Sequence, residues 1–154
     1  MEPEQPFLPE GRTILYVSED NEFMEAAKKA AEELSLDEKH RTGAVVVKSG
    51  KILGAGANGA KFHQIIGCVR KFINAPTGEW YAICPGCSPK EHAEQTALRG
   101  SRKTHSVVEI EGSDLYLWGH WWCCESCWKA MIDANVKNVF LSEGAYEKFN
   151  GGRK

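Results

Sequence analysis

The chain has 154 residues, 42% of them apolar and 26% charged, with a formal net charge of -2. That is the composition of a single globular domain long enough to bury a core. The slightly negative balance argues against a protein that coats long nucleic acid by counterion release, and no apolar run reaches the roughly 18 residues that a membrane-spanning helix needs.

Residues 1–11 carry Pro3, Pro6 and Pro9 and read as an extended arm. The stretch is acidic and lacks the basic and apolar regions of a secretory leader, so a cytoplasmic, reducing location is expected. All six cysteines fall between Cys68 and Cys127. In such a location, clustered cysteines read as metal ligands sooner than as disulfides.

Thr13 to Val17 is a short apolar run, either an edge strand or a packing segment. Asp20 or Asn21 can cap a helix over residues 22–34, where Phe23, Ala26, Ala27, Ala30 and Leu34 recur at helical spacing. Residues 43–48 and 51–56 flank Ser49-Gly50 and predict a β-hairpin that runs into Ala57-Asn58-Gly59. Periodicity is then lost over residues 60–90, a cysteine-bearing insert whose length implies a function or an internal brace. A helix is expected over 91–99, a buried strand over 115–118, a helix over 124–134 and a strand over 136–141. Strand, helix and strand with short joints form a βαβ unit and hence a parallel pair. A polar tail, 143–154, closes the chain, and no repeat or second domain is evident.

The chemistry concentrates in His92-Ala93-Glu94 and Cys124-Glu125-Ser126-Cys127. A histidine and two thiolates can hold zinc with a fourth position open to water, and a nearby carboxylate can move that water's protons. Cys124 and Cys127, three apart at a helix start, face the same way. Taken singly, the cysteine pair also fits a structural zinc half-site or a redox pair, and His92 a capped surface histidine.

The sequence resembles the cytidine and deoxycytidylate deaminase superfamily over roughly residues 22–142. The likeness rests on His92-Ala93-Glu94 with Cys124 and Cys127, on Thr42 to Val47, on Gly54 to Gly59, and on Asn135 to Phe140. It implies a three-layer α-β-α fold with a mixed sheet. It further implies His92, Cys124 and Cys127 as ligands of a catalytic zinc, Glu94 as proton shuttle, and Asn58 with the backbone around Ala93 as substrate contacts. The expected activity is hydrolytic deamination of a cytosine nucleotide or nucleoside, deoxycytidylate-like, with release of ammonia. Two other readings are a deaminase of a base in RNA such as tRNA, and a non-catalytic zinc-binding module. A homo-oligomer acting on a small molecule, with neither membrane nor long nucleic acid as partner, is the associated expectation.

Three features depart from the family pattern. Cys123 stands where the family usually has proline, and reads as a packing cysteine, an alternative ligand or an oxidation-sensitive thiol. Trp118, His120, Trp121 and Trp122 crowd the approach to the cysteine pair, either to stack on a base or to serve a core or an interface. The C-terminal helix and strand look shortened or missing, with residues 13–17 a possible substitute for the missing sheet edge.

Within the insert, Cys84-Pro85-Gly86-Cys87 with Cys68 and His63 makes a second, structural zinc site plausible, as some deoxycytidylate deaminase relatives have; the alternative is three reduced cysteines in a loop. Thr77 to Tyr81 could flap over a pocket, and Lys61, Arg70 and Lys71 could meet a phosphate or simply be solvated.

Overall fold

Ser49 and Gly50 both take positive φ, 52° and 76°, as a two-residue hairpin turn of this kind demands. The expected hairpin forms as β2 (Gly43–Lys48) and β3 (Lys51–Ala57). In the computed structural model, which describes residues 3–37, 39–59 and 92–150, the hairpin shares one sheet with β1 (Ile14–Val17), β4 (Asp114–Trp118) and β5 (Asn138–Ser142). The strand order is β1-β5-β4-β2-β3. β5 is parallel to both of its neighbours, whereas β2 is antiparallel to both of its own, so the sheet is mixed.

The described helices are α1 (Glu22–Leu34), α2 (Ala93–Thr104), α3 (Val107–Ile110), α4 (Glu125–Asp133) and α5 (Ala145–Phe149). None is long and apolar enough to cross a membrane. Asn21 caps α1, its side chain accepting from the N–H groups of Phe23 and Met24. α4 ends in a Schellman arrangement: Asn135 takes φ 60°, and the N–H groups of Val136 and Asn135 return to the carbonyls of Met131 and Ile132. That turn delivers the chain into β5, parallel to β4.

Strand side chains alternate between faces, and the core divides accordingly. Val45, Val47 and Tyr116 join Met24 and Ala27 of α1. Ala44, Val46, Leu115, Leu117, Val139 and Leu141 join Ala97 and Leu98 of α2 and Trp128 and Met131 of α4. Helices therefore cover both faces, which is the three-layer α-β-α fold.

Bare backbone sets how closely the layers approach. A methyl group at Gly43 would overlap the Ala27 carbonyl oxygen and the Ala31 nitrogen of α1. One at Gly54 would overlap Ser101, and one at Gly56 would overlap Thr96 and Ala97. Gly54 and Gly56, two apart on one strand, thus form a track on which α2 lies. Gly100 faces the Ala55 carbonyl, so it ends nothing and α2 continues to Thr104, beyond the expected stop at Arg99.

The sheet edge beyond β5 is supplied by the N-terminal segment. Ile14, Leu15, Tyr16 and Val17 pair with Val139, Phe140, Leu141 and Ser142. The arm before it is tied as well: Arg12 Nη1 donates to the Val136 carbonyl at 2.9 Å, and Gln5 Nε2 to the Trp121 carbonyl at 3.1 Å. At the other terminus, α5 lays Phe149 against Trp118 and Tyr146 against Trp121, with ring centroids 5.0 and 4.8 Å apart. Lys148 reaches Glu19 at 2.8 Å, and Glu19 also accepts from Trp118 Nε1.

Gly56→Ala should destabilise the fold by about 2–3 kcal/mol, because the added methyl meets helix backbone that can move only as a whole; chemical denaturation measures it. The bond from Lys148 holds the Glu19 carboxyl below the ordinary carboxylate value. The folded value is thus the lower one, so the contribution is present at neutral pH and is lost as pH falls through it. The pair is partly exposed, so Glu19→Gln should cost under about 1 kcal/mol at neutral pH and nothing in strong acid. Thermal melts of both proteins across that range give the comparison.

Candidate metal centre

His92 is the cap residue of α2 and Cys124 the cap residue of α4, each with extended backbone. The two helix N-termini lie side by side on the same face of the sheet, so residues 32 positions apart in sequence meet. Nδ1 of His92 stands 3.6 Å from Cys124 Sγ and 3.4 Å from Cys127 Sγ. The three ligand atoms all lie within 4.8 Å of one another.

These distances fit a metal ion. Tetrahedral zinc, bonded at about 2.0 Å to nitrogen and about 2.3 Å to sulfur, requires N···S edges of about 3.5 Å. Three protein donors leave the fourth position open, the pattern of catalytic zinc. The positive ends of both helices favour thiolates here. The hydrogen bond from Cys127, reinforced by His92, holds Cys124 down at about 4, and the same bond together with burial pushes Cys127 up. A cation bound by both sulfurs requires both as thiolates, so its binding releases protons.

Glu94 occupies the first turn of α2, two residues past His92, and is only 4% exposed. Burial pushes its carboxyl above the ordinary value, while His92 pulls it down and Cys124 pushes it up. Ala93 beside it is fully buried. Cys123 is fully buried too, and its sulfur stands outside the His92, Cys124 and Cys127 group.

Asn58 lies at the end of β3, where its side chain knots three segments together. Oδ1 accepts from Ser35 Oγ at 2.6 Å and from the Thr42 N–H at 2.9 Å, and Nδ2 donates to the His40 carbonyl at 2.7 Å. Thr96 Oγ1 donates to the neighbouring Ala57 carbonyl at 2.9 Å, stapling the start of α2 to the same strand end. Gly119, at φ 100°, packs against Arg41 and Thr42 and so brings the loop after β4 onto this knot. Of the aromatic run, Trp118 and Trp121 face α5, while His120 Nδ1 accepts from the N–H groups of Trp121 and Trp122. The candidate second zinc ligands His63, Cys68, Cys84 and Cys87, the basic residues Lys61, Arg70 and Lys71, and the stretch 77–81 lie outside the described residues.

One residue of the site carries no motif signal of its own. Gln95 Nε2 donates to Ser126 Oγ at 3.1 Å and to Cys127 Sγ at 3.7 Å, bridging the first turns of α2 and α4. Its place three residues after His92, on the same side of the helix, is the only cue in the sequence. Partners of this kind orient metal ligands. Gln95→Ala should therefore weaken zinc binding about 10-fold or more with the fold intact, as read by competition with a chromophoric chelator.

The sequence model of the cytidine and deoxycytidylate deaminase zinc-binding region matches residues 17–143. No curated protein matches the chain significantly. Among solved structures it is similar to the dCMP deaminase of the cyanophage S-TIM5 in apo form, at 26% identity over 83% of this chain and 86% of that one, with a TM-score of 0.49. The same enzyme in complex with dCMP and dUMP gives 25% identity, 83% and 87% coverage, and a TM-score of 0.48. The diaminohydroxyphosphoribosylaminopyrimidine deaminase/reductase of Thermotoga maritima gives 22% identity over 86% of this chain and 34% of that one, with a TM-score of 0.48. With the family's zinc-binding region matched from the last residue of β1 through β5, and a histidine and two cysteines gathered within it, the chain belongs to the cytidine and deoxycytidylate deaminase family.

Proposed function

We propose that the protein catalyses zinc-dependent hydrolytic deamination of a cytosine nucleotide or nucleoside, with deoxycytidylate the leading substrate. The observation that carries this reading is the burial of Glu94 beside three convergent ligand atoms. A purely structural zinc site has no use for a carboxyl group shut away from water next to it. Burial of an acid is costly, and a carboxyl kept buried beside convergent ligand atoms is a candidate for proton transfer.

His92, Cys124 and Cys127 would hold the ion. Bound zinc supplies an acidified water, ionisable near neutral pH. Glu94 accepts a proton from the attacking water and passes one to the ring nitrogen of the cytosine. The water's oxygen bonds to the carbon that carries the exocyclic amine. Glu94 then takes the second proton from the new hydroxyl group and delivers it to that amine; the carbon–nitrogen bond breaks, ammonia leaves with the electron pair, and the carbonyl of the uracil compound forms. A carboxyl whose proton affinity is raised by burial suits a group that must both take and give protons in one cycle. Asn58, at the end of β3, and the backbone at Ala93 are the proposed substrate contacts.

Other parts of the reading rest on the family resemblance and on the sequence alone. They are a homo-oligomeric assembly, a cytoplasmic location, and a second, structural zinc on His63, Cys68, Cys84 and Cys87. Light scattering and zinc analysis per chain address the first and last.

An ammonia-release screen of the zinc-loaded protein against cytosine nucleosides, nucleotides, free bases and tRNA tests the activity. Turnover of deoxycytidylate or a close relative is expected, and Glu94→Ala should lower it by about 10²–10⁴-fold while zinc is retained. Turnover of tRNA alone would move the assignment to the RNA reading. Equal inactivity of wild type and Glu94→Ala on every substrate would leave a non-catalytic zinc module.

A further inference from the structure

The side chain of Asn58 has four hydrogen-bonding positions: two lone pairs on Oδ1 and two hydrogens on Nδ2. Three of them are taken inside the protein. Oδ1 lies 2.9 Å from the Thr42 nitrogen and 2.6 Å from Ser35 Oγ, and Nδ2 lies 2.7 Å from the His40 carbonyl oxygen. Backbone groups decide which end of the amide is which. The Thr42 N–H can only donate and the His40 carbonyl can only accept, so oxygen and nitrogen cannot change places. The fourth position, one Nδ2 hydrogen, has no partner among the described residues.

Ser35 supplies the only side-chain partner in this set. It is the C-cap of α1 and is 9% exposed. An amide oxygen cannot donate, so the hydroxyl hydrogen goes to Asn58 Oδ1; the carbonyls of Asp37 and Asn58 stand further off, at 3.2 Å. The hydroxyl is itself held, because its oxygen accepts from the Asp37 N–H at 3.1 Å. Gly59 closes the arrangement at φ 107°, where a methyl group would stand 2.9 Å from Leu36 Cβ. With both lone pairs of Oδ1 occupied, the amide has nothing left with which to accept. Hydrogen bonds to an amide oxygen also polarise the group and strengthen its remaining N–H as a donor. The place is close to the reacting groups. Asn58 follows Ala57, whose carbonyl is bonded by Thr96 in the first turn of α2, the turn that carries Glu94.

We propose that Ser35 is a positioning residue for Asn58: its hydroxyl fills the second lone pair of the amide oxygen, so that Asn58 meets substrate as a single hydrogen-bond donor. The substrate partner is then a lone pair on a carbonyl, hydroxyl or phosphate oxygen. It is not the exocyclic amine, whose hydrogens need an acceptor. The part played with substrate rests on the deaminase reading above and on Asn58 as a substrate contact, whereas the hold of Ser35 on the amide does not. The C-terminal end of α1 thereby takes part in the site, although α1 covers the opposite face of the sheet.

The test uses the zinc-loaded full chain and compares wild type, Ser35→Ala, Ser35→Thr and Asn58→Asp. The first readout is NMR relaxation of the Asn58 side-chain amide, whose signal is assigned by its loss in Asn58→Asp. In wild type the order parameter should be that of rigid backbone, about 0.85, and in Ser35→Ala it should fall to about 0.6 or lower. Ser35→Thr, which keeps the hydroxyl, should restore it. A mobile amide in wild type, or one that Ser35→Ala leaves unchanged, overturns the proposal. If Ser35→Ala does not fold, Ser35→Cys, a weaker donor, takes its place with the same outcomes decisive. The second readout is deoxycytidylate turnover. Ser35→Ala should raise KM roughly 10-fold with kcat within about twofold and zinc content unchanged, and Ser35→Thr should recover most of the loss. Asn58→Asp, which puts an acceptor where the donor was, should raise KM further still. Unchanged KM in Ser35→Ala or Asn58→Asp, or equal losses in Ser35→Ala and Ser35→Thr, also overturns it. If wild type itself releases no ammonia from deoxycytidylate, that substrate assignment falls, and the order parameters decide the hold of Ser35 on Asn58 independently.

Discussion

Helix α2 reaches its position because β3 offers it bare backbone at Gly54 and Gly56, and that close approach governs the site. The helix carries His92 and Glu94 at its start, while the cysteine pair is carried by α4, which follows a different strand. The two sets meet only if both helices lie at the right depth on the same face. Thr96 fixes the depth at the strand end through the Ala57 carbonyl, and Gln95 fixes the lateral spacing through Ser126 and Cys127. Small residues in the sheet thus do for the metal ligands what no ligand can do for itself.

The site also concentrates groups that are unfavourable when buried. A carboxyl at 4% exposure, a fully buried thiol and two further sulfurs gathered beside a histidine occupy one end of an otherwise apolar layer. Each is tolerable because a neighbour answers it: helix N-termini face the thiolates, and the positive end of α2 faces the carboxyl in its own first turn. The opposite face, with Met24, Ala27, Val45, Val47 and Tyr116, carries no comparable tension. Function and packing are thus divided between the two sides of the sheet.

Much of this was legible in the sequence. The hairpin announced itself through Ser49-Gly50, α1 through its apolar spacing and Asn21, and the convergent cluster through His92, Cys124 and Cys127. These signals are local, or are short patterns with a chemical meaning. Residues that act across the fold were not legible. Nothing near Gly54 or Gly56 states that a helix will rest there. Asn58 was marked by resemblance as a substrate contact, and only the folded chain shows its side chain bonded to Ser35, Thr42 and His40. The helix expected over 91–99 runs on to Thr104, because Gly100 is where it touches the sheet, a contact with no local signal. Cys123 had three readings, and only the folded chain shows it fully buried in the core and outside the ligand group.

The pairing of β1 with β5 has a kinetic side. Ile14 and Val139 are partners from nearly opposite ends of the chain, whereas the hairpin closes over two residues. Loop closure of that span is entropically the most demanding step in the sheet, which places it late in folding. Until then β5 presents an unsatisfied parallel edge, with Val139 and Leu141 already seated in the core beneath it. The earliest described strand in the sequence is therefore among the last to be used, and it acts as a clasp that seals a sheet already built around the site.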